Sequence, residues 1–211
     1  MLDLLPYLAK AKALPDLAPD VAYTVRPGFF YGSSRKGQPG EERDKTIILT
    51  NPACTRKQRA LGLAIEGHEK QLVRYYQEVL RAMQQHRKEL VANVHYFSLR
   101  PVLQSKGQAH ITFPWYDTYP EAASLLRALQ QTDVEGVLFD DFDQGWEVAI
   151  YAQGERVYLA EGDGDRNKPY NLCYTDRARL AQLAAATLER TRRQLAILVR
   201  DTGQNPWRFA P

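Results

Sequence analysis

The stretch from Val134 to Asp165 constrains the fold more than any other, because it contains three short apolar runs separated by glycine-bearing breaks. The runs are residues 137–139, 146–151 and 157–160, and the breaks are Asp143-Gln144-Gly145 and Gln153-Gly154-Glu155. Breaks of this length join antiparallel neighbours, so the stretch predicts a three-stranded meander.

The acidic residues of this stretch are expected on one side of the meander. Side chains alternate across a strand, so Trp146, Val148 and Ile150 share one face of the middle strand, which we expect to be core. The other face and its rims are expected to carry the carboxylates, which are Asp140, Asp141, Asp143, Glu147, Glu155, Glu161, Asp163 and Asp165. The sequence therefore predicts an exposed acidic sheet face that binds a partner.

The net charge of +3 hides an uneven distribution along the chain. Residues 1–116 hold 17 Lys+Arg and 10 Asp+Glu, residues 117–165 hold 2 and 12, and residues 166–211 hold 9 and 3. Such asymmetry bears on partners and solubility rather than on fold. Two interpretations stay open: a docking surface, or the solvated side of a sheet that basic helices neutralise.

Length and composition indicate a folded protein of one domain. The 211 residues are 44% hydrophobic and 25% charged, which is enough apolar sequence for a full core. No apolar run approaches the roughly 18 residues of a membrane-spanning helix, and the N-terminus lacks the features of a secretory signal. We therefore expect a cytosolic protein in which Cys54 and Cys173 stay reduced.

Periodicity predicts the remaining elements. Apolar residues recur at helical spacing over 2–14, from about 57 to 97, over 119–131, and over 177–200, where Thr175 or Asp176 is the expected N-cap. The 57–97 region is predicted as a single long helix or as two with a break near Asn93. Strands are predicted at 21–25, 46–50 and 110–115, the first two paired.

These elements predict an α+β fold, with an antiparallel sheet of five or six strands packed by the long central helix and the C-terminal helix. A single domain is expected over residues 1–211, containing an N-terminal helix and strand pair (1–50), the long helical region (57–97), a helix plus meander (119–165) and the C-terminal helix (175–200). The region 27–44 is predicted to be a loop, and the aromatic tail 203–211 is expected to fold back on the body.

Three partial motifs fail at the positions where their chemistry lies. Gly32 to Gly37 has P-loop spacing, but Gln38 and Pro39 replace the required Lys and Ser/Thr. The pair His68-Glu69 resembles the start of a zinc-protease motif, but Leu72 replaces the second histidine. The turn that begins at Asp163 resembles a calcium loop, but Lys168 and Tyr174 replace its glycine and bidentate acid. No cofactor or metal is therefore expected.

Two functions besides partner binding stay open. Asp140, Asp141, Asp143, Glu161 and Asp163 would form a metal-dependent or acid/base enzyme site if they converged. Alternatively, the arginines of the long helix and the C-terminal helix would bind nucleic acid, with an affinity that falls steeply with salt.

Residues 119–165 resemble a known class of proteins. The helix LLRALQQ followed by GVLFDDFDQGWEVAIYAQGERVYLAEGDGD is similar to the helix-plus-meander segments of immunity proteins against bacterial contact-dependent and type VI secreted toxins. The resemblance implies a protein that binds and blocks one cognate toxin acting in the cytosol, such as a nuclease or an NAD-consuming enzyme. The acidic residues Asp140, Asp141, Asp143, Glu147, Glu161, Asp163 and Asp165 are then the expected contact surface, and a nuclease's basic cleft would accept them in place of phosphates.

Overall fold

The computed structural model describes residues 2–32, 45–113 and 115–210 and shows an α+β fold with antiparallel sheets, as predicted. The helices are α1 (Gly62–Ile65), α2 (Glu69–Gln85), α3 (Tyr119–Ala128) and α4 (Arg177–Thr202), with 3₁₀ helices at Leu5–Lys10 and Val91–Tyr96. The strands are β1 (Lys12–Ala13), β2 (Ala18–Thr24), β3 (Gly28–Phe30), β4 (Thr46–Ile48), β5 (Arg59–Leu61), β6 (Leu99–Ser105), β7 (Gln108–Thr112), β8 (Gly136–Asp143), β9 (Trp146–Gln153), β10 (Arg156–Asp163) and β11 (Lys168–Asp176). Within the described ranges, no helix is both long and apolar enough to cross a bilayer.

The strands form three sheets. The first has the order β1-β11-β10-β9-β8, the second has the order β5-β2-β6-β7, and the third pairs β3 with β4. In the first sheet, β8, β9 and β10 pair antiparallel in chain order, which confirms the predicted meander. It is extended by β11, antiparallel to β10, and by β1, parallel to β11.

Tight turns set the register of these strands. Gln144 and Gly145, between β8 and β9, have φ values of 50° and 89°, and Lys106 and Gly107, between β6 and β7, have 51° and 72°. Two consecutive residues with positive φ make the hairpin turn whose twist matches that of the flanking strands. The first turn therefore holds Asp143 opposite Trp146.

The contacts divide the chain into two compact units. The first comprises Met1–Val21, Pro101–Tyr116 and Pro120–Glu189, and the second comprises Ala22–Arg100, Asp117–Tyr119 and Arg190–Pro211. The expectation that residues 1–211 form one domain stays a prediction.

The first unit contains the five-stranded sheet and most of the acidic block. Its buried apolar side chains come from the sheet, from α3 and from the first half of α4, and include Ala122, Leu125, Leu126, Val148, Ile150, Leu159, Leu180 and Ala184. Asp176 caps α4 as predicted, because its Oδ1 accepts a hydrogen bond from the Arg179 N–H at 2.6 Å. The next side chain, Arg177, is buried and donates to the Gly154 carbonyl and to Glu135 at 2.8 Å, which ties the start of α4 to the β9–β10 turn.

The second unit is built on an aromatic cluster. The Tyr76 ring lies 5.2 Å from that of Phe97 and 5.0 Å from that of Trp207. Trp207 is fully buried, which confirms that the aromatic tail folds back.

The predicted helical region 57–97 is interrupted. It contains β5, α1, α2 and a 3₁₀ helix, and only α2 is a long helix. Gly67 and Arg87 lie in the left-handed region, with φ values of 82° and 51°, which ends a right-handed helix on either side of α2. Asn93 has non-helical angles inside the 3₁₀ helix, but the long helix before it already ends at Gln85, so neither a single long helix nor two helices with a break near Asn93 is present.

One predicted strand pairing is wrong, and five strands were missed, including the short strands β1, β3 and β5. The strands at 21–25 and 46–50 were expected to pair, but β2 pairs with β5 and β4 pairs with β3. The other missed strands are β6, which contains Pro101, and β11, which follows the predicted turn at Asp163. Residues 33–44, which hold most of the predicted loop and the partial P-loop motif, lie outside the described residues.

A matched pair of leucine substitutions tests the core of the first unit. Leu159 in β10 is fully buried, whereas Leu5 is 58% exposed. We expect Leu159→Ala to lower the free energy of unfolding by about 3 kcal/mol, because it removes buried methyl groups and leaves a cavity, and Leu5→Ala to change it by less than about 0.5 kcal/mol. Denaturant titration measures both changes. Equal losses would show that β10 does not face a packed core.

Candidate partner-binding surface

The register of β8 to β11 arranges one sheet face in rows that run from core to surface. The innermost row consists of Phe139, Ile150, Leu159 and Cys173. The middle row consists of Asp141, Val148, Glu161 and Asn171. The outermost row, next to the turns, consists of Asp143, Trp146, Asp163 and Lys168. On this face, carboxylates therefore replace apolar side chains toward the end of the sheet that extends beyond the core.

The carboxylates of the middle row are engaged inside the protein. Asp141 accepts a hydrogen bond from the Trp115 indole N–H. Burial, followed by the hydrogen bond to Asp141, raises the pKa of Tyr116. Burial also raises the pKa of Glu161, against the opposing effect of hydrogen bonds from Trp146 and Asn171. These two acids stabilise the rim of the core and are only partly accessible.

The outermost row carries exposed aromatic rings among its carboxylates. Trp146 is 38% exposed, and its ring centroid lies 5.8 Å from that of Tyr170, which is 55% exposed. The Tyr170 hydroxyl donates to Asp163 Oδ2 at 3.2 Å. The Trp146–Tyr170 pair is thereby held in place beside a carboxylate while much of its apolar surface stays in water.

The two turns at this end of the sheet are held together. The Gly164 N–H donates to the Gly145 carbonyl at 3.0 Å. A Cβ added to Gly145 would lie 3.1 Å from Asp165 Oδ2, so Asp165 lies directly over the β8–β9 turn. Phe142, which is 51% exposed, lies against Gly164. We call this end of the sheet the aromatic-acidic tip and define it as Phe142, Asp143, Trp146, Asp163, Asp165 and Tyr170.

The face opposite the rows is covered by the N-terminal segment. Leu2 and Leu4 are buried in one cluster with Ala149 and Ala160. The Leu2 N–H donates a hydrogen bond to Glu147, whose side chain is fully buried. The prediction that Glu147 lies on an exposed acidic face is therefore wrong, because a segment about 145 residues away in sequence covers it.

Asp140 lies beside Glu147 on the same covered face but remains exposed at the sheet edge. Partial burial, together with the hydrogen bond to Glu147 and its charge, raises the pKa of Asp140 to about 6. A nearby carboxylate disfavours the charged form, so Asp140 keeps its proton to a higher pH than an isolated aspartate does.

The structure thus places the seven predicted site residues on both faces of the sheet and at different degrees of burial. Asp143, Asp163 and Asp165 lie at the tip, Asp141 and Glu161 are half-buried on the same face, Asp140 is at the edge, and Glu147 is buried on the other face. The expectation that the acids face away from Val148 and Ile150 is wrong for Asp141, Asp143, Glu161 and Asp163.

Sequence reasoning missed the aromatic members of this surface. It placed Trp146 in the core and assigned no role to Phe142 or Tyr170. Sequence position could have indicated their exposure. Phe142 and Trp146 stand within two residues of Gln144-Gly145 and so must lie at the end of the sheet, where the fewest neighbouring residues pack against a side chain.

The described residues do not favour a metal centre at the acidic stretch. Among them, no group of three His, Cys, Asp or Glu side chains is placed to hold a metal ion. The acids of the enzyme alternative are also split, since Asp140 lies on one face of the sheet and Asp141, Asp143, Glu161 and Asp163 lie on the other.

Several arginines of α4 have partners within their own unit. In the first unit, Arg179 donates to the Leu17 carbonyl at 2.9 Å, in addition to the contacts of Arg177. In the second unit, Arg192 donates to the Tyr119 hydroxyl at 2.9 Å, and Arg193 pairs with Glu66 at 3.1 Å. These contacts account for part of the basic character of α4 without nucleic acid.

The comparisons with known proteins found no match: no family model, no curated protein and no solved structure is similar to this chain.

The raised pKa of Asp140 generates a prediction for stability. An aspartate in an unfolded chain has a pKa of about 3.9, so the raised folded value means that the stability contributed by Asp140 is complete below about pH 4 and is lost as the pH rises through about 6. Asp140→Asn removes this titration. We expect the variant to melt about 2 °C above the wild type near pH 8, with a smaller difference near pH 4.5.

Thermal unfolding at the two pH values measures the effect. Asp133→Asn is the matched control, because it deletes one negative charge from an exposed position outside the sheet. A difference between Asp140→Asn and wild type that is the same at both pH values would contradict the assignment.

Proposed function

We propose that this protein binds and neutralises a cognate protein toxin, as immunity proteins do, and that the aromatic-acidic tip is its docking surface. The observation that carries the proposal is the Trp146–Tyr170 pair, two large rings held in contact beside Asp163 with 38% and 55% of their surfaces exposed. Apolar area is costly to leave in water, and exposed aromatic side chains grouped with charges are typical of interaction sites.

The composition of the tip suits a protein partner. Tryptophan and tyrosine are enriched among the residues that dominate binding energy at protein interfaces, since they bury a large area at little cost in conformational entropy. Because Tyr170 is already hydrogen-bonded to Asp163 and packed at a tilt against Trp146, binding requires little further ordering of these side chains.

The charge of the tip suits a basic partner. Asp143, Asp163 and Asp165 surround the rings, and the block of residues 117–165 holds 12 acids and 2 bases. Two cations offset part of this charge: Arg166, which lies 3.6 Å from Asp163 and has a side chain that is 81% exposed, and Lys168, which pairs with Asp163 on β11. Complementary charge accelerates encounter and excludes wrong partners. A toxin with a basic cleft, such as a nuclease acting in the cytosol, fits this surface.

Substitutions at the tip test this proposal against a matched surface control. Trp146→Ala is expected to weaken partner binding at least about ten-fold, because it removes a central aromatic contact. Val134→Ala removes an apolar side chain of similar exposure, 39%, that precedes β8 at the end of the strand away from the β8–β9 turn, and should leave binding unchanged. The tagged wild type and both variants are used to capture protein from lysate of the native host, and affinities are then measured with the purified captured protein.

The function itself requires a second readout. Expression of the captured protein alone should arrest growth, and co-expression of the wild type, but not of Trp146→Ala, should restore it. Charge reversal by Asp143→Lys should slow association and reduce its salt dependence, whereas Glu189→Lys, on an exposed position of α4, should do so less. Capture that survives Trp146→Ala, or a captured protein without toxicity, would overturn the proposal.

A further inference from the structure

Strand β8 is an edge strand of the five-stranded sheet. It is the last strand in the sheet order and spans Gly136–Asp143. Among the described residues its ladder partner is β9 alone. An edge strand presents a row of N–H and C=O groups that are available to another chain.

The β8–β9 turn determines which backbone groups point to this edge. A two-residue turn closes on a hydrogen-bonded pair, so Asp143 and Trp146 exchange both of their backbone hydrogen bonds, and hydrogen-bonded pairs alternate with non-hydrogen-bonded pairs from there. The backbone N–H and C=O groups of Asp141 therefore point toward β9 and form hydrogen bonds with Val148. The N–H and C=O groups of Asp140 and Phe142 point outward, away from β9.

The side chains beside these outward groups are accessible. Phe142 is 51% exposed, Val137 is 45% exposed, and Asp140 is also exposed. The strand carries three aspartates, Asp140, Asp141 and Asp143, and no lysine or arginine. An added strand would thus meet carboxylates on both faces of the sheet and apolar surface between them.

This charge pattern selects among the chains that could pair with β8. A second copy of β8, paired antiparallel, would bring two sets of aspartates together, and like charges opposite one another destabilise a strand pair. A basic extended segment would instead place cations next to all three carboxylates. The charge of β8 therefore favours a basic strand over self-association.

We propose that an extended, basic segment of the partner adds to β8 as a further strand, with its backbone bonded to Asp140 and Phe142 and its basic side chains next to Asp140, Asp141 and Asp143. The inference rests on the proposed function, because it specifies how the cognate partner engages this end of the sheet. Main-chain hydrogen bonds supply affinity in such strand addition, and the alternating side chains supply specificity.

The first test uses a short synthetic peptide in which pairs of lysines alternate with pairs of valines, so that lysines lie on both faces of the added strand, and the matched control has glutamate in place of every lysine. Binding of the basic peptide should slow amide hydrogen exchange at Asp140 and Phe142 by about ten-fold or more and leave Asp141, which is already bonded to β9, nearly unchanged. The acidic peptide should produce no protection. Equal protection by both peptides, or no protection at Asp140 and Phe142, would overturn the inference.

The second test separates the backbone of Asp140 from its charge. Asp140→Pro removes the outward N–H, which an edge position tolerates, and Asp140→Ala removes only the carboxylate. The proline variant should bind the basic peptide about five- to ten-fold more weakly than the alanine variant, the effect of one lost hydrogen bond and a disturbed ladder. Circular dichroism and melting temperature verify that both variants fold, and equal affinities would contradict strand addition.

The same pair of variants distinguishes failure of this inference from failure of the proposed function. If Trp146→Ala abolishes capture of the toxin while Asp140→Pro and Asp140→Ala capture it equally, the docking surface stands and strand addition is wrong. If the wild type captures no toxin, the proposed function fails, whatever the peptide does. A wild-type dimer in sedimentation that Asp140→Pro dissociates would assign the edge to a second copy and overturn the inference.

Discussion

The register of the five-stranded sheet is the constraint on which the rest of the first unit depends. Side chains alternate with a period of two, so a slip of one residue would move every side chain of a strand to the other face. The two positive φ values of Gln144 and Gly145 hold Asp143 opposite Trp146 and thereby prevent that slip. They also determine that the Ile150 side chain points into the core and that the Glu147 side chain lies on the opposite face. The aromatic-acidic tip then lies at the end of the sheet that extends beyond the core.

The second face of the sheet depends on a contact between distant parts of the sequence. Glu147 would be an exposed acid if the sheet had one solvated face, as an isolated meander has. Leu2 and Leu4 instead pack over Ala149 and Ala160, and the Leu2 N–H donates to the Glu147 carboxylate. A buried carboxylate requires compensation by hydrogen bonds or by a proton. Here the Leu2 N–H supplies one such hydrogen bond, and partial burial together with the neighbouring Glu147 raises the pKa of Asp140 to about 6.

The tip and the β8 edge form one surface with two modes of contact. Trp146 and Tyr170 offer apolar area for side-chain contact, while the outward groups of Asp140 and Phe142 offer backbone hydrogen bonds. The carboxylates next to both favour a basic partner. Edge strands that carry charges are also protected against aggregation, so the same aspartates keep β8 available for a basic segment and unattractive to other copies of itself.

The sequence by itself determined the α+β class, the meander of β8 to β10 and the capped helix α4, because glycine turns, alternation and helical spacing are local signals. It did not predict β6 or β11, the interruptions on either side of α2, or the pairing of β2 with β5. Of the candidate site, it identified the acids Asp143, Asp163 and Asp165, but not the aromatic rings among them. Only the tertiary structure decided which acids are buried and which aromatic residues are exposed. Burial depends on packing by residues distant in sequence, such as Leu2 and Trp115, and local sequence patterns do not indicate that packing.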